Sequence, residues 1–132
     1  PIQISRQHYI KNKIPTCYRQ LIAADIKEDY SMGYGTDLGF RAGTSHSFYW
    51  FDLENNNTSN LKIHPFCFMD TTAHFELKLW PTEAFEQLNS IAKKVKNTNG
   101  KLITIFHNSS LGSDKQWRDW AAFYQSFYQS II

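Results

Sequence analysis

Five histidines, His8, His46, His64, His74 and His107, are the side chains best suited to moving protons or holding a metal. None belongs to an H-x-x-x-H or H-E-x-x-H pair, so no local motif is spaced for one ion. A lone histidine is more often structural than functional. His107 differs because it directly follows the apolar run Leu102-Ile103-Thr104-Ile105-Phe106. A parallel strand of an α/β protein delivers the side chains at its carboxyl end to the active-site face. Asn108 and Ser109 would continue into the loop that rims that face.

Charged residues offer further candidates. Arg6 and His8, two apart, share one face if they lie on a strand. Buried there, Arg6 needs an anionic partner; on a surface edge both simply meet water. Arg41 stands between Gly39 and Gly43 in GFRAGT. It could approach a ligand or a carboxylate closely, or fix the loop by a salt bridge. Asp70 closes the run Phe66-Cys67-Phe68-Met69, and Asp29 ends another extended segment. Either could orient a histidine or cap the turn that follows it.

The elements that must position these residues follow from periodicity. Gln3 to Tyr9 alternates like a short strand. Ile14, Cys17, Tyr18, Leu21 and Ile22 fall at helical spacing, and Pro15 suits a first helical position, giving a helix over about Pro15–Ala24. Ile26 to Ser31 reads as a strand. Gly33, Gly35 and Gly39 punctuate a loop, Phe40 to Thr44 is a short extended piece, and an aromatic run spans Phe48 to Phe51. Glu54 to Asn60 reads as a polar turn. Leu61 to Met69 is an apolar strand whose Pro65 marks an edge or a bulge.

Pro81 opens a second helix with Ala84, Phe85, Leu88, Ile91, Ala92 and Val95 on one face, and Gly100 follows its end. Lys101 to Phe106 is a buried strand in pattern. Ser113 and Gln116 form a capping box for a last helix. Its stripe is Trp117, Trp120, Ala121, Tyr124, Phe127, Tyr128 and Ile131, a core face rather than a ligand site. Strands alternating with helices predict an α/β protein with parallel strands. No repeat or linker divides residues 1–132, so one domain is expected. The few strands make a thin sheet, as in part of a larger barrel.

Composition narrows the functional class. Fourteen basic against twelve acidic residues leave a formal charge of +2, too balanced for a dedicated nucleic-acid binder. Hydrophobic residues at 42% and aromatics at 16% predict a packed core rather than disorder. Aromatic rings also line sugar sites, although core packing accounts for most of them. Cys17 and Cys67 form no C-x-x-C pair; two buried free thiols are expected in preference to one disulfide, and redox compartment stays open. No apolar run reaches the length of a membrane span and no signal peptide is visible. The chain starts at Pro1 without a methionine, as a processed or truncated product would, so cytoplasm and cell envelope both stay open.

Taken in order, SRQHY, a helix, IKEDYSMGY, GFRAGTSHSFYWFDL, IHPFCFMDTT and LITIFHN resemble the bacterial polysaccharide deacetylases. The similarity is greatest to a branch with DYSxGY and GFRAGT after the helix, and it covers nearly the whole chain. The resemblance implies the C-terminal portion of a distorted (β/α) barrel. It also implies a hydrolase that removes N- or O-acetyl groups from a carbohydrate with a divalent metal, commonly zinc. In that family one aspartate and two histidines from two early motifs bind the metal, and a second early aspartate is the general base. Those motifs are absent here, so this chain alone is expected to hold no metal and to be inactive. The missing half of the barrel would lie before Pro1.

Arg6 and Tyr9 resemble the ends of the family's arginine motif, usually R-P-P-Y, with Gln7 and His8 in place of the prolines. LITIFHN resembles the last motif, which makes His107 the general acid. Asp70, in preference to Asp29, would orient it, and Arg6 and Arg41 would steady a carboxylate or meet the sugar. Tyr9, His8 and Trp50 are the expected sugar contacts. An uncovered sheet edge predicts pairing, as a homodimer or a swapped assembly. The alternative is a non-catalytic carbohydrate-binding or scaffold module on the same fold. A structural partner chain for a separate N-terminal half is a third reading.

Overall fold

Hydrophobic patterning sorts the chain into two cores rather than one. In the computed structural model, residues 1–131 are described. The strands are β1 (Ile4–Ser5), β2 (Glu28–Asp29), β3 (Phe48–Asp52), β4 (Asn57–Ile63), β5 (Phe68–Met69) and β6 (Thr104–Ile105). The helices are α1 (Thr16–Ala23), α2 (Pro81–Asn97) and α3 (Trp120–Ile131). One sheet has the order β1-β2-β4-β3, with β1, β2 and β4 parallel and β3 antiparallel to β4. The other is the parallel pair β5-β6, in which Phe68 lies opposite Thr104 and Met69 opposite Ile105. The architecture is mixed helix and strand with two small sheets that do not close into a barrel.

The first core packs Tyr18 of α1, Met32, Trp50, Leu61 and Ile63 on the larger sheet. Arg19 on α1 makes two hydrogen bonds to the Asp52 carboxylate, both 2.8 Å, and a third to Glu54. The guanidinium holds the Asp52 carboxyl well below the usual carboxylate range. The second core packs Cys67, Phe68, Ala84, Leu88, Trp117, Trp120, Phe123 and Phe127 between α2, α3 and the smaller sheet. Burial pushes the Cys67 thiol up to about 12, so it acts as a small apolar side chain. Both cysteines are free, with Cys17 only half-buried.

Several expected elements are shorter or differently phased. The first strand stops at Ser5, because Gln7 N–H is captured by Ser31 Oγ at 2.8 Å and the chain turns over His8–Ile10. Arg6 and His8 therefore do not share a strand face. Phe40 to Thr44 is a turn, closed by Gly43 N–H to Phe40 C=O at 2.9 Å. Residues 57–60, expected in a polar turn, begin β4 and pair with β3 as a hairpin; backbone pairing needs no apolar side chain. Pro65 separates β4 from β5, which lie in different sheets.

Asp114, not Ser113, receives the Gln116 N–H, and it caps a short 3₁₀ turn ahead of α3. Because α3 starts only at Trp120, its buried face is Trp120, Phe123 and Phe127. Ala121, Tyr128 and Ile131 are exposed, correcting the expected stripe.

Candidate functional site

The carboxyl ends of β1, β2, β5 and β6 converge on one cleft of about 700 Å³. Arg6, His8 and Tyr9 enter from the segment after β1, and Gly35 and Thr36 from the loop beyond β2. Met69 and Thr71 come from the end of β5, and Ile105 and His107 from the end of β6. A single π-helical turn, Thr72–Glu76, closed by Leu77 N–H to Thr72 C=O at 3.0 Å, supplies Phe75 and Glu76 as a wall.

The tightest network lies at the cleft edge. Pairing of β5 with β6 sets Asp70 beside His107. Asp70 is fully buried, and its Oδ1 lies 2.6 Å from His107 Nδ1 and accepts Thr71 N–H at 2.7 Å. Its Oδ2 accepts His107 N–H at 2.6 Å and the Ser110 hydroxyl. Ser110 is itself buried and also donates to His107 C=O at 2.8 Å. The ring is thus anchored through Nδ1, and Nε2 lies on its opposite side. The His107 side chain is 44% exposed where it lines the cleft. Nδ1–H bonded to a carboxylate fixes the tautomer and the ring plane, leaving Nε2 to exchange a proton with a bound molecule.

Opposite His107, Tyr9 is 80% exposed and sits in left-handed backbone, φ 57°, as does Ile10 at 54°. Non-glycine residues rarely adopt this region, and such strain clusters where side chains must be aimed. Arg6 stands 5.9 Å from the centre of the Tyr30 ring. Among the described residues it has no carboxylate within 4.0 Å. Its charge reaches Asp29, which is fully buried and accepts Ser31 N–H and Ser31 Oγ–H, both at 2.9 Å. Burial raises the Asp29 carboxyl above its ordinary value, and the Ser31 bonds, the Ser5 hydroxyl and the Arg6 charge offset only part of that.

Of the expected site residues, His107, Arg6, Tyr9 and His8 share the cleft and Asp70 stands directly behind it. Arg41 is exposed and lies outside the cleft lining; its charge acts on Tyr18 instead. Trp50 is a core residue, 8% exposed and edge-on to Tyr18 at 5.5 Å, so it cannot serve as a sugar contact in this cleft. The remaining histidines are dispersed. His46 bonds Thr98 C=O at 3.0 Å, and His74 packs on Trp117 at 4.5 Å.

His64 is buried, bonded to Ser47 Oγ at 2.7 Å and stacked on Tyr30 at 4.3 Å. Its Nε2 is 2.8 Å from Glu28 without a hydrogen-bond alignment. Burial lowers the His64 pKa, an effect that Glu28 opposes. Sequence reasoning missed Ser110, Phe75 and Glu76. A serine three residues after His107 gives no signal by itself, and a π turn has no sequence period.

Among the described residues no three His, Cys, Asp or Glu side chains gather to hold a metal ion. The cleft offers His107 Nε2, His8 and Glu76 without such a grouping, so these residues do not fit a resident metal. No family model, curated protein or solved structure matches the chain.

Proposed function

We propose that this chain carries the proton-donor half of a hydrolase that removes acetyl groups from a carbohydrate. The observation behind it is the buried Asp70 carboxylate 2.6 Å from His107 Nδ1, with the ring at the edge of an open cleft. In hydrolysis of an N- or O-acetyl group, a water oxygen bonds to the acyl carbon, the bond from that carbon to the sugar nitrogen or oxygen breaks, and acetate is released. The departing amine or alkoxide then needs a proton. With Nδ1–H on Asp70, His107 delivers a proton carried on Nε2 and is left neutral. Tyr9 and Phe75, exposed at 80% and 49%, offer flat faces for pyranose stacking, and Arg6 and His8 offer polar contacts.

The motif resemblance supports the substrate class and a place in the C-terminal part of a deacetylase barrel. It also implies a divalent metal, to which we assign no residue of this chain. The remainder of such a barrel is the partner the resemblance suggests, and an uncovered sheet edge is the reason to expect a second copy of this chain.

Acetate release from an acetylated oligosaccharide by the intact protein tests the reading. His107→Ala should lower kcat by roughly 10²–10⁴-fold with KM little changed, because the proton is needed only as the leaving group departs. Undiminished release by His107→Ala would end the proposal. A protein that binds the oligosaccharide but releases no acetate in its intact form would favour a non-catalytic binding module.

A further inference from the structure

We propose that a second cleft, behind the π-helical turn, binds an acidic pyranose, a sugar ring bearing a carboxylate. This cleft is about 350 Å³ and is lined by Trp80, Lys78, Lys115, Arg118, His74 and Asp119 among others. It falls at the lower end of the roughly 300–1,000 Å³ typical of small-ligand sites. The turn Thr72–Glu76 separates the two clefts: Phe75 and Glu76 line the first and His74 the second.

Trp80 is the first argument. The other tryptophans, Trp50, Trp117 and Trp120, are 8%, 2% and 1% exposed, whereas Trp80 is 74% exposed. A solvated indole gives up the burial that normally stabilises this side chain, and it offers a stacking face instead. Its base is fixed. Trp80 precedes Pro81 in extended backbone, φ −69° and ψ 155°, and its N–H donates to Glu83 at 2.8 Å. A ring on a rigid base loses little freedom when a sugar lies against it.

Charge is the second argument. Lys78, Lys115 and Arg118 line the same cleft as the ring, and among the described residues none has a carboxylate within 4.0 Å. Asp119 is the only acidic side chain in the lining, so the cleft presents an excess of positive charge. Lys78 and Asp119 both hold left-handed backbone, φ 53° and 70°, the same strain that marks Tyr9 in the first cleft. An indole face flanked by unpaired cations suits a ligand with one flat apolar face and an acidic substituent. The choice of a sugar over another aromatic-stacking anion rests on the carbohydrate reading above.

Titration of the chain with oligogalacturonate, following the Trp80 indole N–H resonance, tests the site. A neutral chito-oligosaccharide of equal length and adenosine monophosphate serve as comparisons. The acidic oligomer should shift that resonance with Kd below about 1 mM and bind at least roughly tenfold more tightly than either comparison. Trp80→Ala and Arg118→Gln, both surface changes, should each weaken it by about three- to tenfold while the amide spectrum stays folded; in Trp80→Ala, which has no indole at this position, binding is followed at the backbone amides of Lys78 and Lys115. Absence of a shift, equal affinity for the neutral oligomer or the nucleotide, or undiminished binding by Trp80→Ala would overturn the site. Binding is read without turnover, so its failure leaves the role of His107 standing. Unaltered acetate release by His107→Ala would leave this site standing as a binding site.

Discussion

Asp70 and Asp29 occupy equivalent places in two different sheets. Both are fully buried, and each lies at the carboxyl end of a short parallel strand. Asp70 accepts from Thr71 N–H, His107 N–H, His107 Nδ1 and Ser110, so both oxygens are saturated and one bond leads to a ring in the cleft. Asp29 is satisfied by Ser31 through both backbone and side chain, and Arg6 affects it only through its field. What separates the two is the neighbouring strand end. β6 runs out into His107, whereas β1 runs out into Arg6, whose side chain lies over Tyr30 instead. A buried carboxylate at a strand end is a generic feature, and the partner it orients gives it chemistry.

The largest test of that contrast is to remove each charge without changing shape. In Asp70→Asn the new NH₂ must face a backbone N–H whichever way it turns, that of Thr71 or that of His107, at a cost on the order of 2–4 kcal/mol. Asp29→Asn meets Ser31 Oγ, which can accept, and should cost less than about 1 kcal/mol. Urea denaturation at neutral pH measures both. Equal losses would erase the distinction.

The hydroxyls behind the two carboxylates give a smaller difference of opposite sense. Ser31→Ala deprives Asp29 Oδ2 of its donor and Gln7 N–H of its acceptor, for roughly 1–3 kcal/mol. Ser110→Ala leaves Asp70 three other donors and should cost about 1 kcal/mol. Faster amide exchange at Gln7 in Ser31→Ala would show that the Ser31 hydroxyl steadies the Arg6–Tyr9 arm as well as Asp29. If exchange there is unchanged while stability falls, the serine supports only the carboxylate.

The smallest effect is the pH dependence of Asp29. Its folded pKa is raised by burial, so relative to an uncharged side chain its contribution is fully present below the unfolded value of about 3.9. That contribution is lost as pH rises through the folded value. Asp29→Asn should therefore gain on the unaltered chain between about pH 4 and neutrality, read as a growing difference in urea midpoints. A difference that does not change over this window would mean the carboxylate is not held against its ionisation.

Much of this arrangement is visible in the residues themselves. The apolar runs before Asp70 and His107 mark both as strand ends, and parallel pairing then brings them together. Helix α2 is legible because Pro81 opens a 3.6-residue pattern that Gly100 N–H closes on Val95 C=O at 2.9 Å. The failures have local causes. The first strand stops early because a side chain, Ser31, takes an amide that the ladder would have used. The β3–β4 hairpin gives no sequence signal because Asn57–Asn60 carries no alternation, and the stripe expected on α3 is out of phase because the 3₁₀ turn at Lys115–Trp117 resets the rotation ahead of it. An aromatic at Trp50 and an arginine between Gly39 and Gly43 both read as site residues, and tertiary packing sends Trp50 to the core and Arg41 to solvent.

Pro65 lies close to the boundary between the two cores. The buried members of the first, Tyr18 through Ile63, all precede it, and those of the second, Cys67 through Phe127, all follow. During synthesis the larger sheet and its cover would leave the ribosome with every partner already made. The second core would wait for α2 and α3, since amino-terminal units form first as a chain emerges. Arg6 and Tyr9 belong to the early half and Asp70 and His107 to the late one, so the cleft would be the last thing the nascent chain completes.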